Sequence, residues 1–140
     1  MAPLLALPGG VRAELESLVQ AGYPCETCGL LLGDRSDGCC RVASQRPARN
    51  LNRERARDRF EVDPEDYLGA ENAAAAAGLA IVGVWHSHPD HPARPSATDL
   101  EMAWPGWSYL ILSVGSGGVA ELRSWRLAGD RFVEEEVRHA

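Results

Sequence analysis

The run Leu79-Ala80-Ile81-Val82-Gly83-Val84-Trp85 passes without a break into His86-Ser87-His88-Pro89. A short, continuous apolar stretch of this kind reads as a buried strand over 79–88, and Pro89 ends it. Side chains alternate along a strand, so His86 and His88 project to one side while Ser87 points away. Alone, two such histidines are compatible with satisfied core residues. Beyond the loop 89–95, however, come Ser96 and Asp99, one turn apart on one face of a short helix expected over 96–103. Asp99 then completes a facial set of three ligands with the fourth position open, which is how catalytic zinc is held. One such site implies one Zn2+ per chain. Ser96-Ala97-Thr98-Asp99 also suits a helix N-terminus, with Ser96 capping and Asp99 countering the dipole, and Ser96 can cap within a metal site as well.

The chain has 140 residues, enough for one domain over 1–140 with a core that needs no disulfides. A net charge of −6 argues against a general nucleic-acid binder. Arg46, Arg49, Arg53, Arg55, Arg57 and Arg59 crowd one stretch, partly offset by Glu54 and Asp58; a solvated loop and a docking surface for an acidic partner are both open readings. Glu134-Glu135-Glu136 reads as exposed. No secretory signal is visible, and the longest apolar run, Ala73–Trp85, is too short and too glycine-interrupted to span a bilayer. The expected location is the cytoplasm, with no membrane partner.

Cys25 and Cys28 form a C-x-x-C, and Cys39-Cys40 are adjacent. A structural four-cysteine zinc site lacks its second C-x-x-C, and a thioredoxin-like motif follows a strand, whereas this one precedes one. A deaminase would need an H-x-E that is absent. Reduced thiols are expected, with Cys28 facing Cys39 or Cys40 across a hairpin.

The remaining elements follow from pattern. Residues 3–7 predict a first strand and Val11–Ala21 a helix with Val11, Leu15, Leu18 and Val19 on one stripe, stopped by Gly22. Strands 28–33 and 39–44 flank a turn at 34–38, and a short strand is expected at 59–62. Asp63 as N-cap, Pro64 at the first position and Glu65-Asp66 in the first turn start a second helix running to Gly78. Residues 107–114, 119–127 and 131–137 read as closing antiparallel strands. The fold class is α/β.

The pattern H-x-H-x7-S-x2-D over His86–Asp99 resembles the JAMM (MPN+) metalloprotease family. Glu26-Thr27-Cys28-Gly29-Leu30-Leu31-Leu32-Gly33 resembles the family's E-x-C-G-x-L-x-G segment, and Arg59-Phe60-Glu61-Val62-Asp63-Pro64 its strand-to-helix junction. The resemblance implies a curved mixed sheet flanked by helices, in the cytidine-deaminase-like architecture. It also implies a zinc metallopeptidase with His86, His88 and Asp99 as ligands. Glu26 is then the catalytic proton acceptor and Ser96 the hydrogen-bond donor to the developing oxyanion. The implied substrates are ubiquitin-like sulfur-carrier proteins ending in Gly-Gly, whose tail would lie beside an exposed sheet edge. A non-catalytic scaffold of the same fold and a zinc hydrolase acting on another amide are the alternatives.

Overall fold

The computed structural model describes residues 4–50, 62–101 and 103–139. The elements, in chain order, are β1 Leu4–Leu7, α1 Gly9–Gly22, β2 Cys28–Ser36, β3 Cys39–Ala48, α2 Pro64–Ala76, β4 Ala80–Pro89, α3 Ala97–Glu101, β5 Ser108–Gly115, β6 Gly118–Ala128 and β7 Arg131–His139. The strand expected at 59–62 falls largely outside the described residues; only the isolated bridge Asn50–Val62 is seen there.

Helix α1 begins two residues before its apolar stripe and buries Val11, Leu15 and Val19 at a spacing of four, one helical face turned to the sheet. Gly22 is its last residue rather than its stop. Helix α2 starts where its capping residues predict. Asp63 accepts the Glu65 N–H at 2.8 Å, satisfying one of the donors that a helix start leaves open. Its buried residues are Ala70 and Ala74, small enough to let the helix lie close over Leu30, Leu32, Val84 and Tyr109. On the α1 side a second cluster gathers Leu5, Leu7, Leu31, Trp85, Leu110 and Leu112.

The sheet is mixed, as expected, but it closes into a barrel in the order β1-β3-β2-β4-β5-β6-β7 instead of staying an open curved sheet. Closure is the work of β1, which pairs in parallel with β3 from Leu4–Cys39 and with β7 from Leu4–Glu136. A strand this short carries no local signal that it has two partners. Because β1 covers only Cys39 to Arg41 of β3, the outer side of β3 from Val42 to Ala48 has no strand beside it among the described residues. Glycine at position 29 is required by packing. It lies opposite Trp85 in the β2–β4 pairing, and a Cβ there would run into the indole ring and the Arg46 carbonyl.

Two expectations are corrected here. Cys28 pairs with Ala48 at the far end of the β2–β3 hairpin, while Cys39 and Cys40 lie opposite Ser36 and Arg35 near its turn; the hairpin is too long for Cys28 to face either. All four cysteines are free thiols. Glu134-Glu135-Glu136 is not uniformly exposed, because β7 alternates. Glu135 turns inward, accepts from Ser124 Oγ at 2.6 Å and pairs with Arg126. Arg126 also donates to the Gly38 carbonyl at 3.0 Å and the Leu4 carbonyl at 3.3 Å, so this network ties β6 and β7 to the closing strand. Glu135→Ala would leave a mostly buried guanidinium without its counter-charge. A loss of about 3 kcal/mol is expected, read as a lower urea midpoint at unchanged m-value.

Arg49 is committed within the fold, 3.1 Å from Asp63 and Asp66 and 3.3 Å from Glu65. It is therefore not open charge for an acidic partner. Arg53, Arg55, Arg57 and Arg59 lie outside the described residues.

Candidate metal centre

Strand β4 delivers His86 and His88 as its period requires. It runs between β2 and β5, with Cys28 opposite His86 on one side and Ile111 opposite it on the other. His86 is 1% exposed. Its Nε2 stands 3.1 Å from His88 Nε2 and 3.4 Å from Asp99 Oδ2, and His88 Nε2 is 3.2 Å from the same oxygen. These three atoms form a nearly equilateral triangle. A tetrahedral zinc ion with bonds of about 2.0–2.1 Å sets its ligand atoms about 3.3 Å apart, so two imidazoles and a carboxylate at these separations fit one face of such an ion.

Glu26 reaches the same place from the segment between α1 and β2. It is buried, and a carboxylate oxygen lies within 4.8 Å of a ring nitrogen of each histidine. Four potential ligands thus converge. The His86–His88–Asp99 triangle is the tighter set and matches the tetrahedral edge; Glu26 stands beside it. Glu26, His88, Ser96 and Asp99 line a cleft of about 320 Å³, together with His91 and Arg94. His91 is exposed on the rim. Trp85 belongs to the core, not the cleft wall.

Ser96 and Asp99 cap α3 reciprocally: Ser96 Oγ accepts the Asp99 N–H at 3.1 Å and Asp99 Oδ2 accepts the Ser96 N–H at 2.9 Å. The capping and the metal-site readings therefore coexist in one constellation. The described helix is Ala97–Glu101, and Ala103 lies outside it, short of the expected end.

The electrostatics divide the histidines. Burial pushes His86 down against the pull of Asp99, which favours the neutral ring, the form that binds metal. Burial also opposes charge on His88. There it is outweighed by the Asp99 hydrogen bond, the Pro92 carbonyl, and the charges of Asp99 and Glu26, and His88 is raised. For Asp99, burial alone would favour the acid. Hydrogen bonds from His86, His88 and the Ser96 N–H hold its carboxyl far below the usual carboxylate range. Cys28, close by, is pushed up to about 12 by burial and by the charges of Glu26 and Asp66. Its thiol stays protonated and donates to the Ala48 carbonyl at 3.7 Å, so it offers neither a thiolate ligand nor a nucleophile.

Supporting residues that the motif does not reveal hold Glu26 in place. Ser87, pointing away from the two histidines, accepts the Thr27 N–H at 2.8 Å, and its own N–H donates to the Thr27 carbonyl at 2.9 Å. Asn50 Nδ2 donates to the Glu26 carbonyl at 3.4 Å. Tyr23 Oη lies 2.8 Å from both oxygens of Asp90, which joins the Glu26 segment to the exit of β4. Ser87 was findable: a fully buried hydroxyl on a strand needs a partner.

Several known proteins are similar to this chain. The family described as prokaryotic homologs of the JAB domain matches residues 9–128. A protein of Haloferax volcanii named Desampylase is 42% identical over 138 residues, covering 95% of this chain and 94% of its own. A CysO-cysteine peptidase of Mycobacterium tuberculosis is 31% identical over 135 residues, covering 91% and 88%. A solution structure from Desulfitobacterium hafniense superposes with a TM-score of 0.86 at 32% identity, over 97% of this chain and 92% of that one.

Proposed function

The chain belongs to the family of prokaryotic JAB-domain homologues, and on that premise we propose that it is a zinc metallopeptidase that cuts after the Gly-Gly tail of a ubiquitin-like carrier protein. The observation that carries the reading is the triangle of His86 Nε2, His88 Nε2 and Asp99 Oδ2, with edges of 3.1–3.4 Å, beside a buried glutamate. Relatives named as a desampylase and a peptidase support hydrolysis. They also weigh against a scaffold without activity, as do the ligands, all of which this chain retains.

Zinc held by His86, His88 and Asp99 would supply Lewis acidity, which lowers the pKa of water to about 7. Glu26 accepts the proton of the attacking water as its oxygen bonds to the scissile carbonyl carbon. It passes that proton to the departing amine nitrogen as the C–N bond breaks. Ser96 Oγ is already an acceptor for the Asp99 N–H, which leaves its O–H proton to donate to the carbonyl oxygen as charge grows there. A donor so placed is worth about 2.7–4 kcal/mol. No side-chain nucleophile takes part, and no acyl-enzyme forms.

The outer side of β3 from Val42 to Ala48, which has no strand beside it among the described residues, would give an extended tail a strand to pair with on its way to the cleft. Glycines at the cut suit a narrow approach because no side chain must be excluded. The working compartment is the cytoplasm, and the partner is a protein rather than nucleic acid or membrane. No helix among the described residues is long and apolar enough to cross a membrane.

A folded carrier extended beyond Gly-Gly is expected to be cut after the second glycine, and a short peptide of the same tail sequence much more slowly. Products are read by mass. Equal rates would remove docking by the carrier body, and cutting of neither would remove the substrate class.

A further inference from the structure

The segment 89–95, from the last residue of β4 toward α3, carries three prolines and little regular hydrogen bonding of its own, yet it forms one wall of the cleft. What holds it comes from outside the motif. Ala93 is 0% exposed, and both of its backbone polar groups are taken by side chains of β6. Glu121 Oε1 accepts the Ala93 N–H at 2.8 Å, and Trp125 Nε1 donates to the Ala93 carbonyl at 3.0 Å. Arg123 Nε donates to the other Glu121 oxygen at 3.2 Å. Glu121, Arg123 and Trp125 are two apart and so share one face of the strand. From β5, Ser113 Oγ donates to the His91 carbonyl at 2.5 Å. Between these anchored residues sits Pro92, whose carbonyl is 2.9 Å from His88 Nδ1.

A carbonyl can only accept, so His88 Nδ1 carries a proton toward Pro92, which leaves Nε2, facing His86 and Asp99, as the nitrogen that would bind the metal. A ligating histidine is oriented by the partner of its other nitrogen. Here that partner is a backbone oxygen, and its place is set by side chains about thirty residues further along the chain. Glu121 is held below the usual carboxylate range by the Ala93 N–H and then by Arg123, which suits a permanent acceptor.

We infer that β6 is the outer support of the metal centre: Glu121 and Trp125 are positioning residues that fix the His88 ring through Ala93 and the Pro92 carbonyl. The inference rests on the metal-centre reading above. Loss of either clamp lets the 91–93 backbone shift and the imidazole turn, with no change in the ligands themselves.

The test is zinc affinity by competition with a chromophoric chelator, together with the visible spectrum of the cobalt(II)-substituted protein. It uses the full chain and the variants E121A, E121Q and W125F. E121A and W125F are expected to bind zinc about 10–100-fold more weakly and to give a changed cobalt band. E121Q retains an oxygen acceptor for the Ala93 N–H and is expected to stay near wild type. If E121A does not fold, W125F decides, since it keeps an aromatic ring in the packing while removing the indole donor. Folded E121A and W125F with wild-type affinity and an unchanged cobalt spectrum would overturn the support role while leaving the metal centre standing. A wild type that binds no zinc would overturn both.

Discussion

Exchanging Glu26 for glutamine is expected to slow hydrolysis by about 10²–10⁴-fold while metal content stays at one ion per chain. The expectation separates two uses of the same carboxylate. Glu26 lies within 4.8 Å of the histidine nitrogens, so on distance alone it is a candidate ligand. But Asp99 Oδ2 already completes a triangle with them at 3.2 and 3.4 Å, and the free face of an ion held there would turn to the cleft that Glu26 lines. A carboxylate in that position can receive a proton; an amide of the same size cannot. The Thr27–Ser87 hydrogen bonds that place the segment involve backbone and hydroxyl groups and survive the exchange. The check pairs metal analysis with the single-turnover rate. Metal lost in step with activity would make Glu26 a ligand, and wild-type turnover would remove it from the mechanism.

Asp99→Ala and His86→Ala are each expected to abolish stoichiometric metal binding, and activity with it, because either leaves two protein ligands where catalytic zinc sites use three. The two substitutions differ in their side effects. Asp99 also accepts the Ser96 N–H at 2.9 Å and receives hydrogen bonds from both histidines, so its removal loosens α3 as well as the site. His86 takes no part in the two Ser96–Asp99 cap bonds themselves. Agreement between the two variants, measured as zinc per chain after dialysis, assigns the loss to ligation rather than to a frayed α3. A double Cys25→Ser, Cys28→Ser variant is expected to keep its zinc, since Cys28 is a protonated buried thiol. Metal that follows the cysteines would contradict the assignment.

What could be read from the chain, and what could not, divides along sequence distance. The two histidines, the strand beneath them and the α2 cap follow from periods of two and from residue types within a few positions of one another, and the structure has each of them. Ser96 and Asp99 fell within the same short window, and the structure brings them to the histidines. Closure of the barrel by β1, the burial of Glu135 and the far pairing of Cys28 with Ala48 depend on which strands meet, which no local pattern records. Glu135 shows the difference most plainly. Three consecutive glutamates read as a solvated run, yet the alternation of β7 turns the middle one onto Arg126. The Ser87–Thr27 bonds and the β6 clamp on Ala93 are of the same kind: each joins residues about thirty to sixty positions apart through a backbone group, which leaves no motif.

Hydrolysis by this protein is expected to depend on a metal held by His86, His88 and Asp99. Its most direct measurement is the intact mass of a folded Gly-Gly carrier bearing a C-terminal extension, after incubation with the protein stripped of metal by a chelator and with the same protein after zinc is restored. One cut, after the second glycine, is expected only in the zinc-restored sample. Equal cutting by the stripped protein, or an untouched carrier after zinc is restored, would contradict the account.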